Sequence, residues 1–427
     1  MKILVVGGGG REHAIIRKLK ESPRCTEIWA APGNGGIACD ARCAPIAATD
    51  VEALAGFAAA EQFDYVVVAP DDPLALGLVD KLAARGIPAF GPNAAAARIE
   101  ASKVFAKGLM KKYGIPTAEY EVFDEPGAAL AYIRAKGRYP VVVKADGLAL
   151  GKGVLICASE SEAAQALHDM LESRVFGASG SRVVVEEFLT GPEVSVLAFA
   201  DGEDIVPMVS SMDHKRALDG DEGLNTGGMG TVAPNPYYTP QVARQCMETI
   251  FLPTMRAMRA EGCPFKGCLY FGLMLTPQGP KVIEYNCRFG DPETQVVLPL
   301  LRSDLLEIML ACTGGALAGT PVEFEPGGAA CVVLASGGYP QHYEKGKPIH
   351  GLENGQLSGS GATVYHAGTA RQGGALVTSG GRVLGVTATA PTLAQAVQRA
   401  YEASGRITFE GMHKRGDIGR RALQALE

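Results

Sequence analysis

The sharpest chemical pattern lies in residues 281–293, where Glu284, Asn286 and Arg288 occur at alternate positions. In a β-strand alternate side chains point to the same face, so Glu284 and Asn286 would lie side by side. A carboxylate and an amide oxygen suit Mg²⁺, which takes hard oxygen ligands and shares them with substrate phosphates. Arg288 adds a planar fork that fits a carboxylate or a phosphate. The competing interpretation is an ordinary polar face on an edge strand.

A glycine-rich segment, residues 145–154, follows an apolar run that ends at Lys144. It is not a P-loop, because only three residues separate Gly147 from Gly151, and Lys152 is followed by glycine instead of serine or threonine. Strand patterns on both sides favour a hairpin flap over phosphates. An ordinary glycine-rich hairpin is the alternative.

Residues 183–193 leave a strand and cross a short turn. Such a turn can present backbone groups to the edge of an adenine and place the Glu193 carboxylate against two ribose hydroxyls. The pattern is weak by itself, because charged residues at the end of a strand are usually only solvated.

Two polar clusters share one long loop: DHKR at 213–216 and NTGGMG at 225–230. Loops of this length between strands are often functional. Ionisable residues followed by glycines indicate a clamp on a substrate. The sequence contains no GxSxG or Cys/His nucleophile pattern.

The N-terminal run GGGGREH occupies residues 7–13, between a predicted strand and a predicted helix. Backbone N–H groups at such a helix start can face an anion. A dinucleotide fingerprint fails, because Glu12 or His13 stands where its third glycine is needed, and the strand 27–30 ends without an acidic residue for the ribose. One phosphate is therefore favoured over NAD, with a tight turn alone as the alternative.

Composition excludes several classes of protein. Hydrophobic residues make up 47% and charged residues 20% of the 427 residues, typical of a globular chain of two to four domains. The net charge of −6 and the lack of a long Lys/Arg run disfavour nucleic-acid binding. We expect no membrane segment and no signal peptide, because the apolar runs are too short.

The ten cysteines are scattered, without a CxxC pair. Cys39 and Cys43 lack a second ligand pair nearby, so a zinc site is disfavoured. Reduced cysteines of a cytoplasmic protein are the preferred interpretation.

Apolar runs and turn signals predict an α/β multidomain fold. Residues 1–101 alternate strands and helices, as in an open parallel sheet. Residues 102–326 begin with a helix capped by Ser102 and contain a small α+β module at about 117–190. Residues 327–427 form a β-rich domain with a hairpin that turns at Ser379-Gly380-Gly381. The strands are expected near 3–6, 27–30, 65–69, 141–144, 154–157, 182–188, 193–200, 267–275 and 281–285, and the helices near 12–20, 51–62, 102–114, 161–172 and 393–403.

Taken in chain order, a series of segments resembles the ATP-grasp superfamily and, within it, the phosphoribosylamine–glycine ligase family. NTGGMG and NCRFGDPETQ are its most specific motifs. The others are GGGGREH, PGNGG at 32–36, ADGLALGKGV, EEFLTGPEVS, DHKR, ASGGYP at 335–340 and KRGDIG at 414–419, so the resemblance covers essentially the whole chain. Two departures are Leu150 in the flap and Leu224 before Asn225, where the family usually has a small residue and a proline.

The resemblance implies an ATP-grasp fold with an N-terminal pre-ATP-grasp domain, a mobile lid and a C-terminal β-rich domain. It implies a step of purine biosynthesis in which glycine and 5-phosphoribosylamine are joined with ATP and Mg²⁺ (or Mn²⁺), through glycyl phosphate. A monomer in the cytoplasm is expected, with no nucleic-acid or membrane partner.

Family roles fall on matching positions of this sequence. The ATP-binding residues would be Lys103, Lys144, Gly151, Lys152, Glu186, Glu187, Phe188, Leu189 and Glu193. The metal ligands would be Glu284 and Asn286. The catalytic residues near glycine and phosphate would be Arg288, Asp213 and Lys215. The substrate-binding residues would be Asn225, Thr226, Gly227 and Gly228, with Gly8, Gly9, Gly10 and Asn34 on the ribose 5-phosphate side.

Three other functions remain open on the sequence. Another ATP-grasp ligase, such as a biotin-carboxylase-like or formyl-phosphate-using enzyme, would lack NCRFGDPETQ. An NAD-dependent dehydrogenase is disfavoured by Glu12. A non-catalytic nucleotide-binding module would not need Glu284, Asn286 and several lysines together.

Overall fold

The computed structural model of the chain describes residues 1–148, 153–173 and 181–427. The N-terminal part contains a parallel sheet in the order β3-β2-β1-β4-β5. Its strands are β1 (Lys2–Gly7), β2 (Glu27–Pro32), β3 (Arg42–Cys43), β4 (Tyr65–Val68) and β5 (Ala89–Phe90). Its helices are α1 (Gly10–Leu19), α2 (Val51–Ala60), α3 (Asp71–Ala75), α4 (Leu78–Ala83) and α5 (Ala94–Ala101).

Both faces of this sheet are covered. Ile3 and Val5 pack in the same cluster as α1, whereas Leu4 and Val6 pack with α2 and α4. Burial on both faces explains the uninterrupted apolar run of β1, and the predicted open α/β sheet is confirmed.

The next part contains an antiparallel sheet in the order β6-β9-β7-β8. Its strands are β6 (Tyr120–Phe123), β7 (Val141–Ala145), β8 (Val154–Cys157) and β9 (Val183–Glu187), and its helices are α6 (Lys103–Tyr113), α7 (Pro126–Lys136) and α8 (Glu160–Leu167). Ser102 caps α6, since its Oγ accepts a 3.1 Å hydrogen bond from the Phe105 amide. Strands β7 and β8 form the predicted flap hairpin. Leu150, Gly151 and Lys152 lie outside the described residues.

Residues 193–286 supply the strands β10 (Glu193–Asp201), β11 (Ile205–Pro207), β12 (Met212–Asp213), β13 (Arg216–Leu218), β14 (Glu222–Asn225), β15 (Gly230–Ala233), β16 (Lys266–Thr276) and β17 (Gly279–Asn286). Four of them form an antiparallel sheet in the order β11-β10-β16-β17. The helices of this part and of the connection that follows are α9 (Pro240–Cys246), α10 (Leu252–Ala260), α11 (Thr294–Val297) and α12 (Leu305–Gly314).

The C-terminal part adds β18 (Gly328–Ser336), β19 (Ala362–His366), β20 (Thr369–Gln372), β21 (Ala375–Thr378), β22 (Arg382–Ala390) and β23 (Met412–His413), with helices α13 (Leu393–Ser404) and α14 (Arg420–Gln424). The predicted hairpin at residues 379–381 is wrong, because β21 and β22 belong to different sheets. The hairpin is instead β20–β21, joined by Gly373 and Gly374. Both glycines have positive φ, 55° and 85°, as a two-residue hairpin turn requires.

The long loop contributes strands to the C-terminal sheet, whose order is β12-β15-β18-β22-β19 with β23 beside β18. Strand β15 pairs with β18 from Gly230 opposite Val332 to Ala233 opposite Ala329. This sheet therefore crosses the boundary predicted at 326/327. The domain limits 1–101, 102–326 and 327–427 stay predictions.

Candidate active site

Strand β17 presents Glu284 and Asn286 on one face. Tyr285, between them, is buried in the core, whereas its two neighbours are only half-buried, as the predicted alternation requires. The β16–β17 ladder shifts register beside Gly272, which pairs with Glu284. A Cβ at Gly272 would lie 3.0 Å from the Cγ of Glu284, so this glycine makes room for the carboxylate.

Four positive charges surround the Glu284 carboxyl group. Burial alone would raise its pKa, but four cationic side chains hold the pKa below its usual value. In order of effect they are Lys215, Lys144, Lys103 and Arg288. The structure thus brings together residues from four separate segments that the sequence singled out. Four cationic side chains that act on one point of the site suit the binding of a polyanion such as a nucleotide phosphate chain.

Lys144 reaches this site from the flap hairpin. Its ammonium lies 2.9 Å from the Glu186 carboxylate and donates a 3.1 Å hydrogen bond to the Ile283 carbonyl of β17. Lys107 lies 3.1 Å from the other oxygen of Glu186. The Glu186 side chain is therefore held between two lysines.

Lys103 is placed by the first turn of α6. Its ammonium donates a 3.1 Å hydrogen bond to the Gly147 carbonyl at the base of the flap. Asp146 fixes the same turn, since its Oδ1 accepts hydrogen bonds from Ser102 Oγ and the Val104 amide, each 2.9 Å long. Burial lowers the pKa of Lys103, and the nearby charge of Glu284 opposes this effect.

Arg288 stands beside the candidate metal ligands. Its guanidinium lies 3.1 Å from Glu100 and donates a 3.2 Å hydrogen bond to Oδ1 of Asn286. Its Nε is buried and has no hydrogen-bond partner among the residues that the structure describes. A carboxylate or phosphate oxygen would satisfy that donor.

Asp213 and Lys215 form a close pair on the long loop, with 3.2 Å between carboxylate and ammonium. Burial raises the pKa of Asp213 to about 7, with Lys215 opposing and Glu293 reinforcing the rise. The pKa of Lys215 lies well above its usual value despite burial, because Tyr270, Asp213 and two glutamates surround it. Lys215 is therefore a permanent cation, and Asp213 can exchange a proton near neutral pH.

The NTGGMG segment closes the loop on itself and on the C-terminal part. Thr226 donates from its amide and its hydroxyl to the Lys215 carbonyl, both at 2.8 Å. The Gly227 carbonyl accepts a 2.7 Å hydrogen bond from Arg382. Gly228 has φ 113°, and a Cβ there would lie 2.6 Å from Asp213. Asn225 is exposed at the end of β14.

The predicted adenine segment follows the end of β9, an inner strand of the flap sheet. The Glu187 carboxylate already forms an ion pair, because it lies 2.9 Å from the Lys281 ammonium. Phe188 is 39% exposed, although it is a large apolar side chain. Leu189 is half-buried, and Glu193 is exposed at the start of β10. An exposed aromatic ring is consistent with a surface for a flat base, and this role stays a prediction.

The N-terminal glycine loop is packed tightly. The Gly9 amide donates a 2.6 Å hydrogen bond to the Glu12 carboxylate, so one helix-start donor is already occupied. A Cβ at Gly8 would lie 2.4 Å from the Gly33 carbonyl, and one at Gly10 would lie 2.6 Å from Gln295. Close packing therefore accounts for these glycines, and their role in phosphate binding stays a prediction.

Asn34 is fully hydrogen-bonded. Its amide nitrogen donates to the carbonyls of Gly8 and His366, at 2.9 and 2.7 Å. Its oxygen accepts from the amides of Gly36 and Ile37, at 2.9 and 2.8 Å. These four bonds use the whole capacity of the side chain. The structure shows Asn34 joining the N-terminal and C-terminal parts, and its predicted substrate contact has no free side-chain group to make it.

Several residues of the site were not assigned a role from the sequence: Glu100, Lys107, Tyr270, Asp291, Glu293, Arg382. Lys107 could have been found, because it lies one helical turn after Lys103. Glu293 was visible within the NCRFGDPETQ motif. Arg382 gave no local signal, since it reaches the site only through pairing of β22 with β18.

The described residues contain no group of three or more His, Cys, Asp or Glu side chains that could hold a metal ion. Glu284 with the Asn286 amide is a smaller donor set. It fits Mg²⁺, which is commonly bound by one or two carboxylates and the phosphates of a substrate. Within the same residues, no helix has both the length and the apolar character needed to span a membrane.

Family models match nearly the whole chain. They are described as the N domain (residues 1–100), the ATP-grasp (A) domain (residues 101–294) and the C domain (residues 329–421) of phosphoribosylglycinamide synthetase. The phosphoribosylamine–glycine ligase of Chlorobaculum tepidum is 48% identical over 99% of this chain and 100% of the relative.

Solved structures agree with these matches. The crystal structure of phosphoribosylamine–glycine ligase from Thermotoga maritima has a TM-score of 0.85 and 37% identity, covering 98% of this chain and 100% of that one. The biotin carboxylase domain of Hydrogenobacter thermophilus 2-oxoglutarate carboxylase, a complex with MgADP, has a TM-score of 0.74 at 17% identity, covering 100% and 94%. The second likeness is one of fold alone.

Proposed function

This chain belongs to the phosphoribosylglycinamide synthetase family of ATP-grasp ligases, and we propose that the cluster around Glu284 is where it activates glycine. The reaction consumes ATP, glycine and 5-phosphoribosylamine and gives glycinamide ribonucleotide, ADP and phosphate. The observation that carries the site assignment is the set of four cations around one carboxylate. The metal ligands, catalytic residues and substrate contacts named above are parts of this proposal.

The first step makes the glycine carboxylate reactive. A carboxylate is a poor electrophile, so one of its oxygens attacks the γ-phosphorus of ATP, a P–O bond forms, and the bond to the β-phosphate breaks to release ADP. Lys103, Lys144 and Lys215 offset the charge of the transferring phosphoryl group, and Arg288 orients the glycine carboxylate through its unpaired Nε. This is catalysis by positioning and preorganised charge.

Glu284 and Asn286 would hold Mg²⁺, which neutralises phosphate charge when it is bound. The Glu284 pKa is held low, so its carboxylate is ionised at neutral pH and ready to bind a cation. The hydrogen bond from Arg288 orients the Asn286 amide, with its nitrogen directed away from the arginine. Use of Mn²⁺ in place of Mg²⁺ is a finer part of the proposal.

The second step forms the amide bond. The amine of phosphoribosylamine attacks the carbonyl carbon of glycyl phosphate, the C–O bond to phosphate breaks, and the amine loses a proton. Asp213, with a pKa of about 7, can take that proton. The hairpin β7–β8 lies at one side of the site and would exclude water, because an acyl phosphate hydrolyses readily.

ADP release measured with each substrate omitted in turn tests the activity. We expect release to require both glycine and phosphoribosylamine, with no consumption of NAD. Full turnover with another amino acid in place of glycine would sink the substrate assignment. A monomeric state, a cytoplasmic location and the three-domain division are predictions that belong to this proposal.

A further inference from the structure

The C-terminal segment 413–421 forms hydrogen bonds and ion pairs with the hairpin β13–β14. The hairpin begins immediately after Lys215 and ends immediately before Thr226, so it connects the two polar clusters of the long loop. Most side chains of the hairpin face solvent; Leu218 is 47% and Leu224 is 49% exposed. With so little apolar burial of its own, the hairpin depends on polar contacts for its position.

Arg415 is the centre of these contacts and is only 1% exposed. Its guanidinium binds Asp417 through two parallel hydrogen bonds of 2.7 and 2.9 Å. The same group donates to the Arg216 carbonyl at 3.1 Å and to the Asp221 carboxylate at 3.0 Å. Arg415 thus connects Arg216, the first residue of the hairpin, to Asp221 in the turn of the hairpin. Arg216 directly follows Lys215 in the chain.

Neighbouring residues of the segment make further contacts with the hairpin. The Gly416 amide donates to Asp219 at 2.7 Å, and the Asp417 carboxylate accepts from the Gly220 amide at 2.9 Å. His413 donates to the Ala217 carbonyl at 2.7 Å. These bonds hold both the first strand of the hairpin and its turn.

A second connection reaches the residue between Asp213 and Lys215. Nδ1 of the buried His214 donates to the Gly230 carbonyl at 3.1 Å, so its Nε2 is the acceptor for the Gly419 amide, also at 3.1 Å. Burial and the charge of Arg415 lower the pKa of His214 to about 4, which keeps it neutral in that tautomer. The charge of Arg421 also lowers the pKa of His214, and the charge of Asp221 opposes this effect.

We propose that Arg415 is a positioning residue, which fixes Lys215, and through it the paired Asp213, in the active site by holding the hairpin from outside. This inference rests on the proposed roles of Lys215 and Asp213. It assigns a task in the reaction to the C-terminal KRGDIG segment, none of whose residues touches the cluster around Glu284 in the contacts described above.

The first test compares Arg415→Met and Arg415→Lys with Arg421→Met. Arg421 is a matched control on the same segment, because it is 54% exposed and lies 3.0 Å from Asp221. We expect kcat to fall about tenfold to a hundredfold in Arg415→Met, as for a small misplacement of a catalytic group. Arg415→Lys should recover part of that loss, and Arg421→Met should stay within about twofold. ATP affinity, measured by direct binding, should be unchanged in all three.

The second test is a double-mutant cycle with Lys215→Ala. If Arg415 acts through Lys215, Arg415→Met should cost much less in the Lys215→Ala background than in the wild type. An equal loss in both backgrounds would overturn the proposal, as would an unchanged kcat in Arg415→Met.

The third test does not depend on activity. In Arg415→Met, amide hydrogen exchange should accelerate in peptides spanning 216–229, while peptides of β1 and β4 keep their wild-type rates. Acceleration everywhere would indicate general destabilisation and contradict a positioning role. If the wild type shows no glycine-dependent ADP release, the proposed function fails, and the exchange pattern alone decides whether Arg415 holds the loop.

Discussion

The Arg288 guanidinium donates a 3.2 Å hydrogen bond to the Asn286 amide oxygen, the atom that the sequence nominates as a metal ligand. A cationic donor and a metal ion compete for the same oxygen lone pairs, although an amide oxygen has two of them. Glu284 is therefore the stronger of the two candidate ligands, and the metal role is best tested there.

Glu284→Gln should lose most activity, because it removes the carboxylate charge on which four cations act and weakens metal binding. Loss of one preorganised electrostatic contact typically costs about 2.7–4 kcal/mol. The measurement is kcat at saturating ATP over a range of Mg²⁺ concentrations. Glu307→Gln is the control, since its exposed ion pair with Arg24 lies on the surface. If Glu284→Gln kept more than about a tenth of the wild-type kcat, the metal role would be wrong.

Lys144→Met should impair the use of ATP and leave the fold intact. The fold survives because Lys107 remains 3.1 Å from Glu186 and still pairs with that buried carboxylate. We expect a higher KM for ATP, a lower kcat, or both. Lys266→Met is a matched control, a strand lysine bonded to the Thr313 carbonyl. Unchanged KM and kcat in Lys144→Met would contradict the phosphate contact.

Gly9→Val tests the prediction that the N-terminal loop binds phosphoribosylamine, whereas ATP binds at the separate site around Glu284. Gly9 has φ −95°, so valine is not excluded by the backbone; its Cβ would instead lie 2.7 Å from Glu12 and 3.4 Å from Asp291. We expect KM for phosphoribosylamine to rise at least about tenfold, or about 1.4 kcal/mol, with ATP affinity within about threefold.

The control for that variant is Gly56→Val, where an added Cβ would meet no atom within 4 Å. Thermal unfolding of both variants separates a binding defect from a packing defect. Loss of ATP binding in a folded Gly9→Val protein would place the nucleotide in the N-terminal part and contradict the assignment of that part to phosphoribosylamine.

Asp213 should give the reaction a pH dependence. Its pKa of about 7 means that the proton-accepting carboxylate is populated as the pH rises through 7, so kcat/KM should increase across that range. Asp213→Asn should be less active and lack this inflection. A wild-type profile that stays flat between about pH 6 and 8 would remove Asp213 as the proton acceptor.

The same shift predicts a change in stability. An unfolded Asp titrates near 3.9, whereas folded Asp213 keeps its proton until about pH 7. Between about pH 4 and pH 7 the folded state therefore binds more protons than the unfolded state. The contribution of Asp213 to the free energy of unfolding falls as the pH rises through this range. Asp213→Asn should reduce that decline in the free energy of unfolding, measured by denaturant titration.

The sequence was informative where chemistry follows from local spacing. The alternation of Glu284 and Asn286 and the cap at Ser102 each depend on a few neighbouring residues, and both are confirmed. Residues brought in by distant pairing could not be found this way. Arg382 reaches Gly227 across 155 positions, and Asn34 makes one of its four hydrogen bonds to His366, 332 positions away.

The shared sheet of β12, β15 and β18 decides how this protein can be recombined with its relatives. If the chain were divided at 326/327 and the two pieces expressed apart, the paired strands Gly230–Ala233 and Gly328–Ser336 would lie in different molecules. Each isolated piece would then expose an unpaired strand edge, a template for aggregation. The unit that can be exchanged with a relative is therefore discontinuous in sequence: residues 327–427 must be replaced together with residues 212–233.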